Sequence, residues 1–288
     1  TGRTMQQQGM RHAFAVAAQL LAITYHSRGS GVGWRPEVAM IAIHDHGAVR
    51  ELRLSRPPVN ALNPELLTAL IDAVTVAPRE GAGALVISGA EGMFTAGLDI
   101  PALLLLDRTA LAAALDVFFD AMEALAECPI PVAAAITGHS PAGGFVLAMF
   151  CDRRVMADGP YGIGLNEVRV GIPMPSVLVE GLARLVGRRR AAELCTTGRL
   201  LSPAEALELG AVDAVVPPGE VVGEACRWCG ELLALPPRAL ALTREAVRAD
   251  LVEAVRSNRG SDCERLLAEW FRPETQQALH QMVARIKR

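Results

Sequence analysis

From residue 40 onward the apolar and polar positions follow periods that change along the chain. In "AVRELRLS" (48–55) they alternate residue by residue, which predicts a strand with one buried face. "RPPVNALNPELLTALIDAV" (56–74) then opens a helix, with Asn63 as its cap and Pro64 at its first position. "GALVISG" (83–89) and "IPVAAAITG" (130–138) are short continuous apolar runs, the pattern of buried strands. Between them "ALAAALDVFFDAMEALAEC" (110–128) reads as a helix. A glycine turn, a short helix "GGFVLAMFC" (143–151) and strand-like "RRVMA" and "YGIGL" follow. The alternation predicts an α/β fold, a sheet whose strands are covered by helices.

After about residue 175 the pattern is mainly helical. "LSPAEALELG" (201–210) carries a capping box in which Ser202 caps, Pro203 begins the helix and Glu205 reaches back. One strand, "AVDAVV", interrupts this region before four more expected helices. No repeat or low-complexity linker divides the chain. The expected organisation is an extension over 1–39, an α/β core over 40–200 and a mainly helical region over 201–288.

Residues 1–39 differ in composition from the rest. They hold Arg3, Arg11, Arg28 and Arg35 but only Glu37 as an acid, with the apolar segment "HAFAVAAQLLAITY". The stretch resembles an organelle transit peptide, which would place the protein in the mitochondrial matrix. The alternative is an upstream extension on a bacterial cytoplasmic protein. "SRGSGVGW" shows no packing pattern, which favours the extension.

The net charge of -3 gives no pull toward nucleic acid or an anionic membrane. No apolar run approaches the roughly 20 residues that span a bilayer. Lys287 is the one lysine, so a phosphate-bearing ligand would be held by arginine or backbone. The six scattered cysteines read as reduced thiols. Cys226 and Cys229 have metal-like spacing but no second pair, and read as packing on a helix. No metal is expected.

Two turns carry candidate chemistry. "GMFTAGLDI" (92–100) turns through Ala96 and Gly97, and "GHSPAGGFVLAMF" (138–150) runs through Gly143 and Gly144 directly into a helix. The first N–H groups of a helix have no internal partner, and a glycine leaves them open to a ligand's oxygen. Neither turn matches a phosphate-cradling fingerprint. A third segment, "YGIGLNEVRVGIP" (161–173), holds Glu167 among apolar residues and glycines. A desolvated carboxylate has its pKa raised toward neutrality and suits proton abstraction; a structural acid paired with Arg169 is the alternative.

Taken together, "RPPVNAL", "FTAGLDI", "PAGGFVLAMFCD" and "GLNEVRVGIP" resemble the successive signatures of the enoyl-CoA hydratase/isomerase (crotonase) superfamily, over residues 42 to about 250. The last is most similar to the Δ3-Δ2-enoyl-CoA isomerase branch. The resemblance implies a spiral of βα units and a trimer or dimer of trimers. It also implies an acyl-CoA thioester substrate, with CoA entering as part of the substrate and no separate cofactor. The implied oxyanion hole is built from the N–H groups of Leu98 and Gly143, and residues Ala96, Gly97, Leu98, Asp99 and Ile100 line the acyl-CoA site. Glu167 matches the family's catalytic carboxylate, and Asn166 before it matches the isomerase branch. The hydratases' second carboxylate is absent, because Val146 stands there. One base suffices to move a double bond by removing a proton from C2 and returning it to C4. Hydration needs a second group to handle water, so the resemblance implies isomerisation within fatty acid β-oxidation. The alternatives are an enoyl-CoA hydratase or other crotonase-type acyl-CoA enzyme, or a catalytically silent family member acting as a binding protein. His139 reads as loop structure, Asp99 as a turn-fixing acid, and Trp270 and Phe271 as helix-packing or subunit-contact residues.

Overall fold

The computed structural model describes residues 40–286; the 1–39 extension and Lys287 lie outside the described residues. Strands β1 (Ile41–His46) and β2 (Val49–Leu54) form an antiparallel hairpin. Helix α1 (Pro64–Val76) follows, and Asn63 caps it as expected, its Oδ1 accepting the Leu66 N–H at 3.0 Å. Next come β3 (Ala84–Ser88), β4 (Gly92–Met93), the single-turn α2 (Ile100–Leu103) and α3 (Arg108–Glu127). Then β5 (Val132–Ile136), β6 (Gly138–Pro141), α4 (Gly143–Met149), β7 (Arg153–Ala157) and β8 (Ile163–Gly164) complete the alternating part.

Every residue of β3 and β5 is buried, because the sheet is covered on both faces. Six strands pair in the order β1-β2-β3-β5-β7-β9, parallel except for the hairpin. A three-stranded parallel sheet, β4-β6-β8, was not expected from the sequence. Its strands are two to four residues long and contain Gly92, Gly138 and Gly164, too short to show a period.

The helical region adds α5 (Ser176–Val186), α6 (Arg188–Thr197), α7 (Pro203–Glu208), β9 (Ala214–Val216), α8 (Val221–Leu233), α9 (Pro237–Trp270) and α10 (Pro273–Ile286). The Ser202–Glu205 capping box is present. Three α-helices follow β9 where four were expected, because α9 runs unbroken for 34 residues through "SNRGSD". Tertiary contacts override the local helix breakers there. Asp262 accepts the Ser176 and Val177 N–H groups at the start of α5, and Arg259 pairs with Asp116 and Asp120 of α3.

The β2 face carrying Glu51 is not solvated as alternation suggested. Helix α8 covers that side of the sheet with Val221, Ala225 and Cys229, so the Cys226/Cys229 helix face does pack. Buried Glu51 is held there by Ser88 Oγ, His46 Nε2 and Arg53 Nε at 2.5–3.0 Å.

A second, partly buried acid ties α9 to the core. Asp152 accepts from Arg244 at 2.6 Å, Arg248 at 2.8 Å and the Val132 N–H at 2.8 Å. The two arginines also donate to the Cys128, Ala126, Leu125 and Phe150 carbonyls, which uses up most of their donors. Removing the acid would leave two buried guanidinium charges without a counter-ion. Asp152→Ala is therefore expected to lose about 3–5 kcal/mol of stability, read as a lower denaturant midpoint; a midpoint within error of the parent would refute this account of how α9 is anchored.

Candidate active site

The loop before α1 braces the first of the two glycine turns. Asn60, at φ +50°, donates from Nδ2 to the Phe94 carbonyl at 3.0 Å and accepts the Arg56 N–H at 2.9 Å. Thr95 Oγ1 donates to the Asn60 carbonyl at 2.6 Å and accepts the Gly97 N–H at 3.1 Å. Leu62 then takes a strand-like bridge to the turn: its N–H donates to the Gly97 carbonyl, and its carbonyl accepts the Asp99 N–H. That pairing skips Leu98, whose N–H donates to no other group among the described residues.

The second turn lies against the first. Ala142 holds φ +48° and ψ -122°, a conformation a non-glycine residue adopts only when its surroundings impose it, and Gly143 starts α4. The Gly143 N–H also has no acceptor among the described residues. A Cβ on Gly97 would sit 3.1 Å from the Gly143 nitrogen, and one on Gly143 would sit 3.3 Å from the Leu98 nitrogen. The two unpaired N–H groups are therefore neighbours, on backbone packed so closely that a Cβ at either glycine would press on the other turn.

Glu167 comes from a different element, a single 3-10 turn (Glu167–Val170) closed by Gly171 in the left-handed region at φ +80°. Thr275 Oγ1 of α10 donates to the Gly171 carbonyl at 3.2 Å, and the Ile172 N–H donates to the Glu167 carbonyl at 3.0 Å. Arg169 is not a partner of the acid; its Nε donates to the Thr197 carbonyl at 2.9 Å. Glu167 Oε2 is buried with no hydrogen-bond partner. Burial pushes the carboxyl pKa up to about 7, against a smaller opposing pull from the Glu167 and Asn166 backbone amides.

One cavity of about 590 Å³ brings these groups together. Leu98, Gly143, Asn166 and Glu167 border it, as do Ala96, Asp99 and Ile100. Gly97 is buried behind the wall, packed on Gly143, and does not border the cavity. Asp99 fixes its turn: Oδ1 accepts the Ala102 N–H at 3.1 Å and Oδ2 accepts from Arg56 at 2.6 Å. His139 also borders the cavity, but its Nδ1 accepts the Gly162 N–H at 3.0 Å, so the ring proton sits on Nε2. Burial lowers its pKa and keeps it neutral. Val146 is fully buried in the main core.

Four cavity-lining contributors escaped the sequence reading. Arg56, the one arginine bordering the cavity among the described residues, sat in a motif whose role was not legible. Leu115 and Phe118 of α3 were seen only as one face of a helix. Trp270, expected to pack, does so but also forms cavity wall, while Phe271 is 41% exposed. Among the described residues no cluster of three or more His, Cys, Asp or Glu could hold a metal ion, and no helix is long and apolar enough to cross a membrane.

Comparison with known proteins gives a consistent picture. The family model "Enoyl-CoA hydratase/isomerase" matches residues 44–284. Human mitochondrial enoyl-CoA delta isomerase 1 is 31% identical over 273 residues, covering 93% of this chain and 90% of that protein. The probable enoyl-CoA hydratase EchA17 of Mycobacterium tuberculosis is 33% identical over 231 residues, covering 78% and 87%. The crystal structure of human mitochondrial Δ3-Δ2-enoyl-CoA isomerase superposes with a TM-score of 0.82 at 30% identity, covering 86% of this chain and 98% of that one.

The buried acid makes a prediction that does not depend on any activity. Its native pKa of about 7 lies above the ordinary 4.5, so the folded state holds this proton more tightly than the unfolded state. The contribution is fully present below 4.5 and is lost as pH rises toward 7 and above. A glutamine at this position would not titrate. The melting temperature of Glu167→Gln minus that of the parent should therefore grow between pH 5 and pH 8, whereas a constant difference would mean that the carboxyl is not desolvated.

Proposed function

The chain belongs to the enoyl-CoA hydratase/isomerase (crotonase) family, and from that membership we propose that it is an acyl-CoA isomerase, converting a 3-enoyl-CoA to the conjugated 2-enoyl-CoA in fatty acid β-oxidation. The observation that carries this reading is a desolvated carboxylate, Glu167, whose Oε2 has no hydrogen-bond partner, in one cavity with the free Leu98 and Gly143 N–H groups. The thioester oxygen accepts from both N–H groups. Glu167 removes a proton from C2, the negative charge collects on that oxygen as a dienolate, and the acid returns the proton at C4. The double bond moves from C3=C4 to C2=C3, and no atom is gained or lost.

Relatives named as hydratases and as isomerases resemble the chain to a similar degree, so the choice rests on the site. Water addition needs a second group to hold and activate the water. Val146 occupies the position of the hydratases' second carboxylate, and the other cavity acid, Asp99, is bound to Arg56 and the Ala102 N–H. His139 is neutral and has its Nδ1 engaged. CoA enters as part of the substrate, and assembly as a homotrimer or dimer of trimers belongs to the same reading.

A paired assay of double-bond shift and water addition on a 3-enoyl-CoA and its 2-enoyl product tests the proposal. The parent should form the conjugated thioester with an acid limb in kcat/KM near pH 7, since the base works only when ionised. Glu167→Gln should lose about 10²–10⁴-fold in turnover with acyl-CoA affinity nearly unchanged. If that variant turns over like the parent, the single-base mechanism is wrong. Gly143→Ala places a Cβ 3.3 Å from the Leu98 nitrogen and 3.2 Å from the Leu62 side chain. It should lose roughly 10²–10³-fold in kcat while keeping the parent's circular dichroism spectrum; parental kcat would put the oxyanion donors elsewhere.

A further inference from the structure

The cavity lining has two unlike parts. One comprises Leu105, 85% exposed, and the polar side chains of Arg56, Asp99, His139 and Glu167. Leu115 and Phe118 of α3, Leu178 of α5, and Leu266 and Trp270 of α9 form the other, and all five are buried from solvent. None of these five carries a charge. A ligand that reaches these five residues meets uncharged side chains contributed by three helices.

Trp270 is the largest of the five and occupies the last position of α9. Its carbonyl accepts from Gln276 Nε2 at 2.7 Å, which fixes the backbone where α9 passes into α10. Its indole Nε1 is buried and has no hydrogen-bond partner. A buried tryptophan usually finds an acceptor for that N–H. Here the polar handle is idle while the ring borders the cavity, so the position uses the bulk of the indole alone.

We infer that Trp270 is the end stop of the acyl channel and sets the longest aliphatic chain the protein accepts. The inference rests on the acyl-CoA reading of this cavity and adds the substrate's character to it: a chain without charged or hydrogen-bonding groups at its far end. Shortening the side chain lengthens the channel. Replacing it with a ring of similar bulk and no N–H leaves the channel as it is.

Saturated acyl-CoAs test this without turnover. Butanoyl-, octanoyl- and hexadecanoyl-CoA are titrated calorimetrically into the full-length parent, Trp270→Ala and Trp270→Phe. In the parent, affinity should rise from butanoyl to octanoyl and not rise further for hexadecanoyl. In Trp270→Ala the hexadecanoyl-to-octanoyl affinity ratio should increase at least about tenfold, the gain from burying roughly two further methylenes. Trp270→Phe should follow the parent. If Trp270→Ala does not fold by circular dichroism, Trp270→Leu is read in its place with the same expected direction. Parallel affinity series in the parent and the shortened variant overturn the end stop, and so does a Trp270→Phe series that shifts as far as the alanine series. Absence of binding by every acyl-CoA to the parent overturns the acyl-CoA reading itself, and the end stop with it. Chain-length dependence without isomerase activity would sustain the end stop and leave the isomerase proposal refuted, so the two fail separately.

Discussion

The closeness of two backbone segments governs much of this structure. For Leu98 and Gly143 to present their N–H groups side by side, the turns carrying them must approach until even a Cβ between them is crowded, and Gly97 and Gly143 are where they meet. The same demand extends into the small sheet behind them. A Cβ on Gly138 would lie 1.9 Å from the Gly92 carbonyl carbon, so the pairing of β4 with β6 needs glycine there. Ala142 bears the remaining distortion with its positive φ. Backbone strain of this kind persists only where the surroundings over-determine it. The surroundings here are a fully buried α4 on one side and the Asn60–Thr95 hydrogen-bond frame on the other.

That frame explains why so much of the chain serves a small site. On the proposed reading, two preorganised donors are effective because they are fixed before the charge arrives and need no reorganisation as it forms. Fixing them requires acceptors to be kept away, and the Leu62 bridge does this by using the carbonyl of Gly97 and the N–H of Asp99 while leaving Leu98 between them unused. The unsatisfied donors are thus a product of strand-like pairing and not a gap in it.

How far the sequence revealed this depended on the range of the interaction. Local chemistry was legible: Asn63 caps α1 and Ser202 with Glu205 forms a capping box, because both involve residues three or four apart. The turns and Glu167 were legible as a set of motifs, and the cavity does bring Leu98, Gly143 and Glu167 together. What failed was non-local. The β4-β6-β8 sheet has strands too short for periodicity. The unbroken α9 contradicts its own Ser257–Gly260 breakers because Arg259 and Asp262 are held by α3 and the start of α5. The buried apolar part of the cavity lining escaped for the same reason. Leu115, Leu178 and Trp270 each look like ordinary core positions within their own helices, and only tertiary packing gives them a common surface.

The buried and partly buried acids of the chain, set beside one another, argue for the role of Glu167 more strongly than any motif. Asp152 has two arginines and a backbone N–H, Glu51 has a serine, a histidine and an arginine, and Asp262 accepts two N–H groups at a helix start. Each is a structural acid, and burial costs it little because its charge is matched. Glu167 has Arg169 within two residues, yet that guanidinium is drawn off to the Thr197 carbonyl, and Oε2 is left without a partner. A carboxylate kept for stability would take the nearby cation, since an unmatched buried charge is costly. Pairing would also hold its pKa low and remove its basicity. The arrangement makes physical sense when the missing partner is a proton that the acid must both take and give back.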